Sequence, residues 1–160
     1  MSNSIRGKFD PGTPPPGYVD TEVVKLTRNG VWLANGQEIS HEPTGRLFGK
    51  CLRRDDQGYF IQIGREYKRI VVEDTPFFVS SLDGDPRTAI WVCLSDETRE
   101  KLDPLTLAYR PGRLTCRVKG GEEEAKFLSA PYFELLRDLQ EDPKGYYIVI
   151  AGIRVDLGKV

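Results

Sequence analysis

The sequence predicts an α+β protein built from two repeated β-β-α-β-β halves, each with an antiparallel sheet. Short runs of β-branched and aromatic residues recur along the chain, separated by clusters of Gly, Asn and Asp. Two longer segments each begin near a proline and carry apolar residues at helical spacing. These segments occur twice in the same order, which indicates an internal repeat.

The composition fits a small soluble protein with its own hydrophobic core. Of 160 residues, 39% are hydrophobic, and 23 Lys and Arg residues nearly balance 24 Asp and Glu residues. This balance argues against a duplex nucleic-acid binder, which needs a strongly basic surface. No apolar run approaches the ~20 residues of a membrane span, and the N-terminus lacks the apolar core of a signal peptide. We therefore expect a cytoplasmic protein.

The chain divides by composition into an arm and two halves. Residues 1–21 are rich in Gly and Pro, and Pro14, Pro15 and Pro16 favour an extended, polyproline-like conformation. Such an arm is either a solvated terminus or a ligand for another domain. The first repeat half is predicted over 22–82 and the second over 83–160.

The first half begins with two short strands and a tight turn. Asn35-Gly36 favours a type I′ turn, because both central residues of that turn need a positive φ. Pro43 opens a predicted helix that runs to the turn at 55–58 and places Leu47, Phe48, Cys51 and Leu52 on one face. The strands predicted in and after this half cover 23–26, 31–33, 59–63, 67–72, 77–79 and 89–94.

The second half repeats this order. Strands are predicted over 114–118 and 125–128, followed by a helix from Pro131 to Leu139 and final strands over 146–150 and 153–157. Pro131 lies 88 residues after Pro43, and Gly145 lies 87 residues after Gly58. One such unit cannot bury its helix alone, so we expect the two halves to pack together and to form a cleft at their junction.

Residues for catalysis and metal binding are scarce. His41 is the only histidine, and the three cysteines, Cys51, Cys93 and Cys116, are widely spaced in apolar stretches. The sequence therefore contains neither a hydrolytic triad nor a zinc motif, and it has no glycine-rich phosphate loop. We expect no metal, no cofactor and no enzymatic activity. An enzyme that uses Glu66, Glu73 or Asp74 as a general base is the least favoured alternative.

Charged residues indicate where a ligand would bind. Four cations at helical spacing, Arg46, Lys50, Arg53 and Arg54, form either a phosphate-binding face or a solvated helix surface. Glu73 and Asp74 precede Pro76, so they either organise a turn or contact the ligand. We predict that a small nucleotide-like anion binds at the junction. The phosphate contacts are Arg46, Lys68, Arg117, Lys119 and Lys126, and the residues that shape the site are Glu66, Glu73 and Asp74. The alternative is a protein-interaction adaptor that uses the Pro-rich arm or a sheet edge.

Several segments resemble one bacterial family, domain of unknown function 1285 (DUF1285). The central and most specific segment is Val72-Glu73-Asp74-Thr75-Pro76-Phe77. The resemblance covers residues 22–158, and its other segments are 30–32, 35–36, 47–54, 58–60, 66–68, 103–105, 119–121, 125–127 and 132–133. Two positions depart from the family pattern. Ile63-Gly64-Arg65 replaces its usual Thr-Pro-Val, and the basic residue or histidine usual near Asp103-Pro104 is missing.

The resemblance implies a duplicated core whose C-terminal half is similar to a pleckstrin-homology domain. It also implies a ligand site between the halves, for a nucleotide-like molecule in signalling. The family has no established activity.

Overall fold

The computed structural model describes residues 22–158. This part of the chain contains fifteen β-strands, two α-helices and one 3-10 helix, which confirms the predicted α+β class. It divides into two compact units, the first ending at Asp74 and the second beginning at Thr75. The predicted Pro-rich arm lies outside the described residues.

The first unit is one six-stranded sheet with one helix. Its elements are β1 (Val24–Leu26), β2 (Trp32–Ala34), β3 (Gln37–Glu38), α1 (Glu42–Lys50), β4 (Leu52–Asp55), β5 (Gly58–Ile63) and β6 (Glu66–Val72). The strand order is β3-β2-β1-β6-β5-β4. Asn35 and Gly36 have φ of 51° and 83°, so the turn between β2 and β3 has the positive φ angles predicted for it.

The prediction of purely antiparallel sheets is wrong at the centre of this sheet. β1 and β6 are parallel, with Val24 opposite Ile70 and Leu26 opposite Val72. The antiparallel neighbours are joined by short turns, which the sequence reveals. A parallel pair instead needs a long connection, and here the whole of the unit between β1 and β6 provides it.

Helix α1 is shorter than predicted. Pro43 lies in its first turn, and Glu42 and Lys50 at its two ends complement the helix dipole. The helix ends at Lys50, because Leu52–Asp55 pairs with β5 as strand β4. The guanidinium of Arg53 donates hydrogen bonds to the carbonyls of Lys50 and Leu52 at 3.1 and 2.9 Å, which satisfies a helix carbonyl that α1 leaves unbonded. The four predicted cations are therefore divided between a helix and a strand.

The second unit has two sheets and a second helix. Its elements are β7 (Phe77–Asp85), β8 (Ala89–Leu94), β9 (Arg99–Lys101), the 3-10 helix (Pro104–Thr106), β10 (Ala108–Arg110), β11 (Arg113–Val118), β12 (Glu123–Phe127), α2 (Ser129–Leu136), β13 (Gln140–Asp142), β14 (Gly145–Ile150) and β15 (Ile153–Gly158). One sheet has the order β10-β11-β12-β7-β8-β9 with β12 and β7 parallel, and the other is β13-β14-β15. Leu139 lies beyond α2, contrary to the prediction, because the adjoining Gln140–Asp142 pairs with β14.

The elements that carry the predicted repeat occur in the same order in both units. A helix and three antiparallel strands follow each other as α1-β4-β5-β6 and as α2-β13-β14-β15. Gly58 and Gly145 occupy the first position of β5 and β14 and share an unusual φ, 123° and 132°. The predicted limit between residues 82 and 83 falls inside β7, and the descent of the two halves from one duplicated segment stays a prediction.

The buried apolar side chains of each unit lie mainly on its large sheet. In the first unit Val24, Leu26, Leu52 and Ile61 are at most 6% exposed. In the second unit Val79, Val92 and Leu114 are fully buried. The burial of Val92 follows from alternation along β8. Ile90, Val92 and Leu94 point to one face of the sheet, and Trp91 and Cys93 point to the other.

Candidate ligand-binding groove in the first unit

A groove of about 410 Å³ lies on the first sheet, beside helix α1. Its lining residues are Glu22, Val24, Phe48, Ile61, Ile63, Arg65, Glu66, Tyr67 and Lys68. The register of β5 and β6 brings four of them to one face, since Ile61 is opposite Lys68 and Ile63 is opposite Glu66. The volume lies within the range of small-molecule sites.

The floor of the groove is apolar. Val24 and Ile61 are 3% and 4% exposed, and Ile63 is half-buried. Phe48 approaches from α1, and its ring meets that of Trp32 edge to face at a centroid distance of 5.4 Å. An edge-to-face pair adds to the packing energy of the two rings, so the wall formed by Phe48 is held in place.

The rim of the groove carries balanced charges. The ammonium of Lys68 donates a hydrogen bond to the backbone carbonyl of Glu22 at 2.9 Å. Arg65 lies in the turn between β5 and β6, next to Gly64, whose φ of 61° allows that turn. Glu66 and Glu22 supply two carboxylates. Two cations and two anions thus surround an apolar floor, which suits a ligand with an apolar body and a charged group.

Of the eight predicted ligand contacts, Glu66 and Lys68 line this groove. Arg46 is not among its lining residues, and its guanidinium lies 3.7 Å from the carboxylate of Glu42 one turn earlier in α1. Asp74 lies in a bend at the end of the first unit.

Glu73, which follows β6, is hydrogen-bonded to Arg28, which follows β1. Its carboxylate accepts hydrogen bonds from the backbone N–H and the Nε of Arg28, at 2.9 and 3.0 Å. The backbone N–H of Arg28, and then its guanidinium, lower the pKa of Glu73. The backbone N–H of Glu73 donates to the carbonyl of Leu26 at 2.9 Å and extends the contact of β1 with β6. These contacts give Glu73 a structural role.

Arg117 and Lys119 hold the hairpin between β11 and β12 in the second unit. The guanidinium of Arg117 donates twice to the carbonyl of Gly121, at 3.1 and 3.0 Å. The ammonium of Lys119 donates to Asp96 at 2.6 Å and to Thr98 at 2.9 Å. Lys126 lies over the ring of Phe78 at 5.9 Å. The site predicted at the junction of the halves stays a prediction.

Asp96 accepts hydrogen bonds from both Lys119 and Thr98. Burial, the largest single influence on its carboxyl, raises the pKa, but hydrogen bonds from Lys119 and Thr98 outweigh it and leave the pKa below its ordinary value. The side chain of Asp96 is 12% exposed. The pair therefore fixes the turn between β8 and β9 against β11, and its lysine is engaged structurally.

An ion pair in the first unit lies beside two aromatic rings. Both terminal nitrogens of Arg69 donate to the carboxylate of Asp55, at 2.8 and 2.6 Å, and the Arg69 hydrogen bond lowers the pKa of that carboxyl. The guanidinium lies 5.4 Å from the centroid of Phe60 and 5.6 Å from that of Tyr67. Both rings are at most 4% exposed and belong to the core, and Tyr67 also lines the groove.

The apolar floor and Arg65 were not among the predicted site residues. Ile61 and Ile63 alternate with polar residues along β5, and Glu66 and Lys68 alternate along β6, across a turn at Gly64-Arg65. This period-two pattern was the available signal, because residues at alternate positions share one face of a sheet. The contribution of Phe48 had no such signal, since it depends on how α1 packs.

The histidine and the cysteines are not among the residues that line the groove. His41 contacts the hydroxyl of Thr44 at 2.8 Å at the start of α1. Cys51, Cys93 and Cys116 are free thiols, and burial raises the pKa of Cys116 to about 12. Residues 22–158 contain no group of three or more His, Cys, Asp or Glu side chains suited to a metal ion. Neither helix in this part of the chain is long and apolar enough to cross a membrane.

Solved proteins with a similar fold exist. The chain is similar to a DUF1285 family protein from Silicibacter pomeroyi DSS-3, with a TM-score of 0.66 and 20% sequence identity over 92% of this chain and 85% of that one. It is also similar to a DUF1285 family protein from Shewanella baltica OS155, with a TM-score of 0.56 and 20% identity over 74% of this chain and 94% of that one.

These likenesses show that the chain shares the fold of DUF1285 family proteins, which confirms the predicted resemblance at the level of the fold. No family model matches the sequence, and no curated protein matches it.

Proposed function

We propose that this protein binds a small anionic molecule with an apolar body in the groove of the first unit. The observation that carries this proposal is the pairing of Lys68 with Ile61, and of Glu66 with Ile63, on one sheet face. An apolar floor provides most of the contact area of a ligand, and a few charged groups orient it. The apolar part would contact Val24, Ile61 and Phe48, and the acidic group would lie near Lys68 and Arg65.

The charges of the rim narrow the chemical class of the ligand. Lys68 and Arg65 are offset by Glu22 and Glu66, so a polyanion such as a triphosphate would meet repulsion as well as attraction. An anion of one or two charges suits the rim better. A nucleoside monophosphate and a medium-chain or aromatic carboxylate both meet this description, and the first corresponds to the nucleotide-like ligand predicted from the sequence.

A thermal-shift experiment tests the proposal. The full chain is heated with nucleoside monophosphates, nucleoside triphosphates, decanoate and an aromatic carboxylate, each at millimolar concentration. A ligand present at a hundred times its Kd stabilises the native state by about 2.7 kcal/mol, which raises the Tm of a chain of this size by roughly 5–10 °C. The response to phosphate or to carboxylate distinguishes the two classes.

The matched variants are Lys68→Gln in the groove and Lys144→Gln in the turn between β13 and β14. Loss of one charge-assisted hydrogen bond costs about 1.5–3 kcal/mol, so K68Q should weaken binding by roughly ten-fold or more, whereas K144Q should leave it unchanged. The absence of a shift with all of these ligands, or equal weakening by both variants, would contradict the proposal.

A protein-interaction adaptor is the second candidate function. The observation in its favour is Phe133, which is 70% exposed on α2 and contacts the ring of Tyr132 at 5.1 Å. Exposed aromatic side chains of this kind anchor partner proteins. If this surface or the Pro-rich arm docks a partner, Phe133→Ser or deletion of residues 1–20 should abolish capture of that partner while the Tm is retained. A partner that is still captured would exclude the surface that was altered.

We extend the proposal to the origin of the two halves and to the cellular role of the protein. The matching order of α1-β4-β5-β6 and α2-β13-β14-β15 supports a duplication. The similarity of the C-terminal half to a pleckstrin-homology domain, a signalling role and a cytoplasmic location are implied by the resemblance and by the sequence, and we propose them on that basis.

A further inference from the structure

The second unit contains a cavity of about 340 Å³, which is large enough for a small molecule. Ile90 and Leu102 line it from the large sheet, and the turn that joins β14 to β15 lines it from the small sheet. Leu102 continues β9, since its backbone N–H donates to the carbonyl of Ile90 at 2.8 Å. None of the residues that line this cavity lines the groove of the first unit, so the two are separate candidate sites.

The floor of the cavity is aliphatic. Ile90, Leu102 and Ile150 are at most 3% exposed, whereas Ile153 is exposed at the mouth. Among residues 22–158 no aromatic side chain lines this cavity, so a nucleobase would have no ring to stack on. A branched aliphatic chain instead matches the floor in both polarity and size.

The wall formed by the β14–β15 turn is held in position. The backbone N–H of Ala151 donates to the carbonyl of Pro86 at 2.7 Å, which joins this turn to the turn between β7 and β8. Ala151 has a φ of 52°, in the left-handed region that alanine rarely adopts. Backbone strain of this kind is concentrated at binding sites. The wall is therefore formed before any ligand binds, which reduces the entropy that binding costs.

Two opposite charges flank Leu102 at the rim. Lys101 and Asp103 both line the cavity, and the ammonium of Lys101 makes no hydrogen bond or ion pair with residues 22–158. The Oδ1 of Asp103 accepts a hydrogen bond from the N–H of Leu105 at 3.1 Å, and its Oδ2 accepts none from the same part of the chain. Positions two apart on an extended segment have Cα atoms about 7 Å apart. The rim thus offers one cation and one anion next to an aliphatic floor.

We propose that this cavity binds a free amino acid with an aliphatic side chain, such as leucine. Lys101 contacts the ligand carboxylate, Asp103 contacts the ligand ammonium, and the aliphatic chain packs on Ile90 and Ile150. A carboxylate without an ammonium would meet repulsion from Asp103, and an amine without a carboxylate would meet repulsion from Lys101. The zwitterion is therefore the class that complements both charges. This site does not depend on the proposed function of the first unit.

The first test compares leucine with two analogues that each lack one charge. Isocaproate lacks the ammonium and isoamylamine lacks the carboxylate, while both keep the aliphatic chain. Methyl NMR of the full chain locates binding, and we expect leucine to move the signals of Ile90, Ile150 and Ile153 and to leave those of Ile61 and Ile63 in the groove unmoved. Each analogue should bind roughly ten-fold or more weakly than leucine, because it loses one charge-assisted contact.

The second test uses charge-removing variants. Lys101→Gln removes the rim cation, and Asp103→Asn removes the rim anion but keeps a side-chain oxygen that can accept from Leu105. The matched control is Lys144→Gln, because Lys144 is exposed in the turn between β13 and β14 and does not line the cavity. K101Q should weaken leucine roughly ten-fold but not isoamylamine, and D103N should weaken leucine but not isocaproate. K144Q should change none of the three affinities, and all three variants should keep the Tm.

The outcomes separate this site from the groove. Unmoved cavity methyl signals with leucine, isoleucine and valine at millimolar concentration would overturn the site. Isocaproate binding as tightly as leucine, or equal weakening by K101Q and K144Q, would overturn the assignment of the charges. If leucine binds in the cavity and no ligand of the thermal-shift panel binds in the groove, this site stands and the proposed function fails.

Discussion

The large sheets of the two compact units have the same strand arrangement, but the units differ in how completely their core side chains are buried. In each sheet two three-stranded meanders meet at a parallel central pair, β1 with β6 and β7 with β12. The segment between the meanders differs. In the first unit it is the nine-residue helix α1, and in the second it is a 3-10 helix of three residues.

Burial separates the units further. The largest side chains that are less than 2% exposed all belong to the second unit, and they are those of Leu114, Val79, Val92, Val118, Thr75, Thr115, Pro131 and Cys116. The first unit has the groove of about 410 Å³ beside α1, and the second unit has a cavity of about 340 Å³ lined by residues that include Lys101, Asp103 and Ile150. The same strand arrangement therefore supports a more completely buried core in the second unit and the larger groove in the first.

The largest effect on the free energy of unfolding is expected from truncation of a buried core side chain in the second unit. Leu114→Ala should lower the free energy of unfolding by about 4 kcal/mol, because it removes a fully buried side chain and leaves a cavity. The matched change in the first unit, Leu52→Ala, should cost about 2 kcal/mol, since Leu52 is 6% exposed at the edge strand β4. Urea unfolding followed by circular dichroism measures both. Equal losses would show that the two cores are equally closed.

The second largest effect on stability is expected from substitution of a glycine with positive φ in each unit. A Cβ at Gly84, whose φ is 91°, would collide with the backbone carbonyl of Ala89 across the β7–β8 pair. A Cβ at Gly58, whose φ is 123°, would meet no atom within 4 Å. Gly84→Ala should therefore cost about 3 kcal/mol and Gly58→Ala about 1–2 kcal/mol, the latter from backbone strain alone. Thermal unfolding of the two variants provides the test, and a Tm for G84A at or above that of G58A would refute the steric account.

The smallest effect is expected from the ionic clusters, and it depends on pH. Asp96→Ala should cost about 2 kcal/mol at pH 7, because it removes the charge-assisted hydrogen bond to Lys119 and the bond from Thr98. Asp55→Ala should cost about 1 kcal/mol, since its pair with Arg69 is more exposed, 23% against 12% for the carboxylate.

The direction of the pH dependence follows from the lowered pKa of both carboxyls. The folded state holds them ionised more strongly than the unfolded state, whose pKa is near 3.8. Their stabilisation is thus fully present above that value and is lost as the pH falls through the lower folded pKa. Urea midpoints between pH 6 and pH 2 should decline at the acid end, and less steeply in D96A than in the unaltered chain. An equal slope in both would rule out Asp96 as a contributor.

The sequence by itself determined the local structure, because short-range sterics and side-chain alternation decide it. Asn35-Gly36 makes the predicted turn since these residues tolerate positive φ. The alternation of Ile61 and Ile63 with polar residues, and of Glu66 and Lys68 across the next turn, placed these four side chains on one face. Pro43 lies in the first turn of α1 for the same local reason.

Only the tertiary structure decided how these elements combine. Leu52 carries a helical pattern in the sequence but pairs with Ile61 as a strand, and the ladder with β5 bonds its backbone groups. The parallel pair of β1 with β6 joins residues more than forty positions apart, and local patterns carry no information about such pairing. Glu73 contacts Arg28, and Phe48 forms a wall of the groove, for that same reason. Long-range packing, more than residue type, thus determined which of the predicted charges line the candidate site.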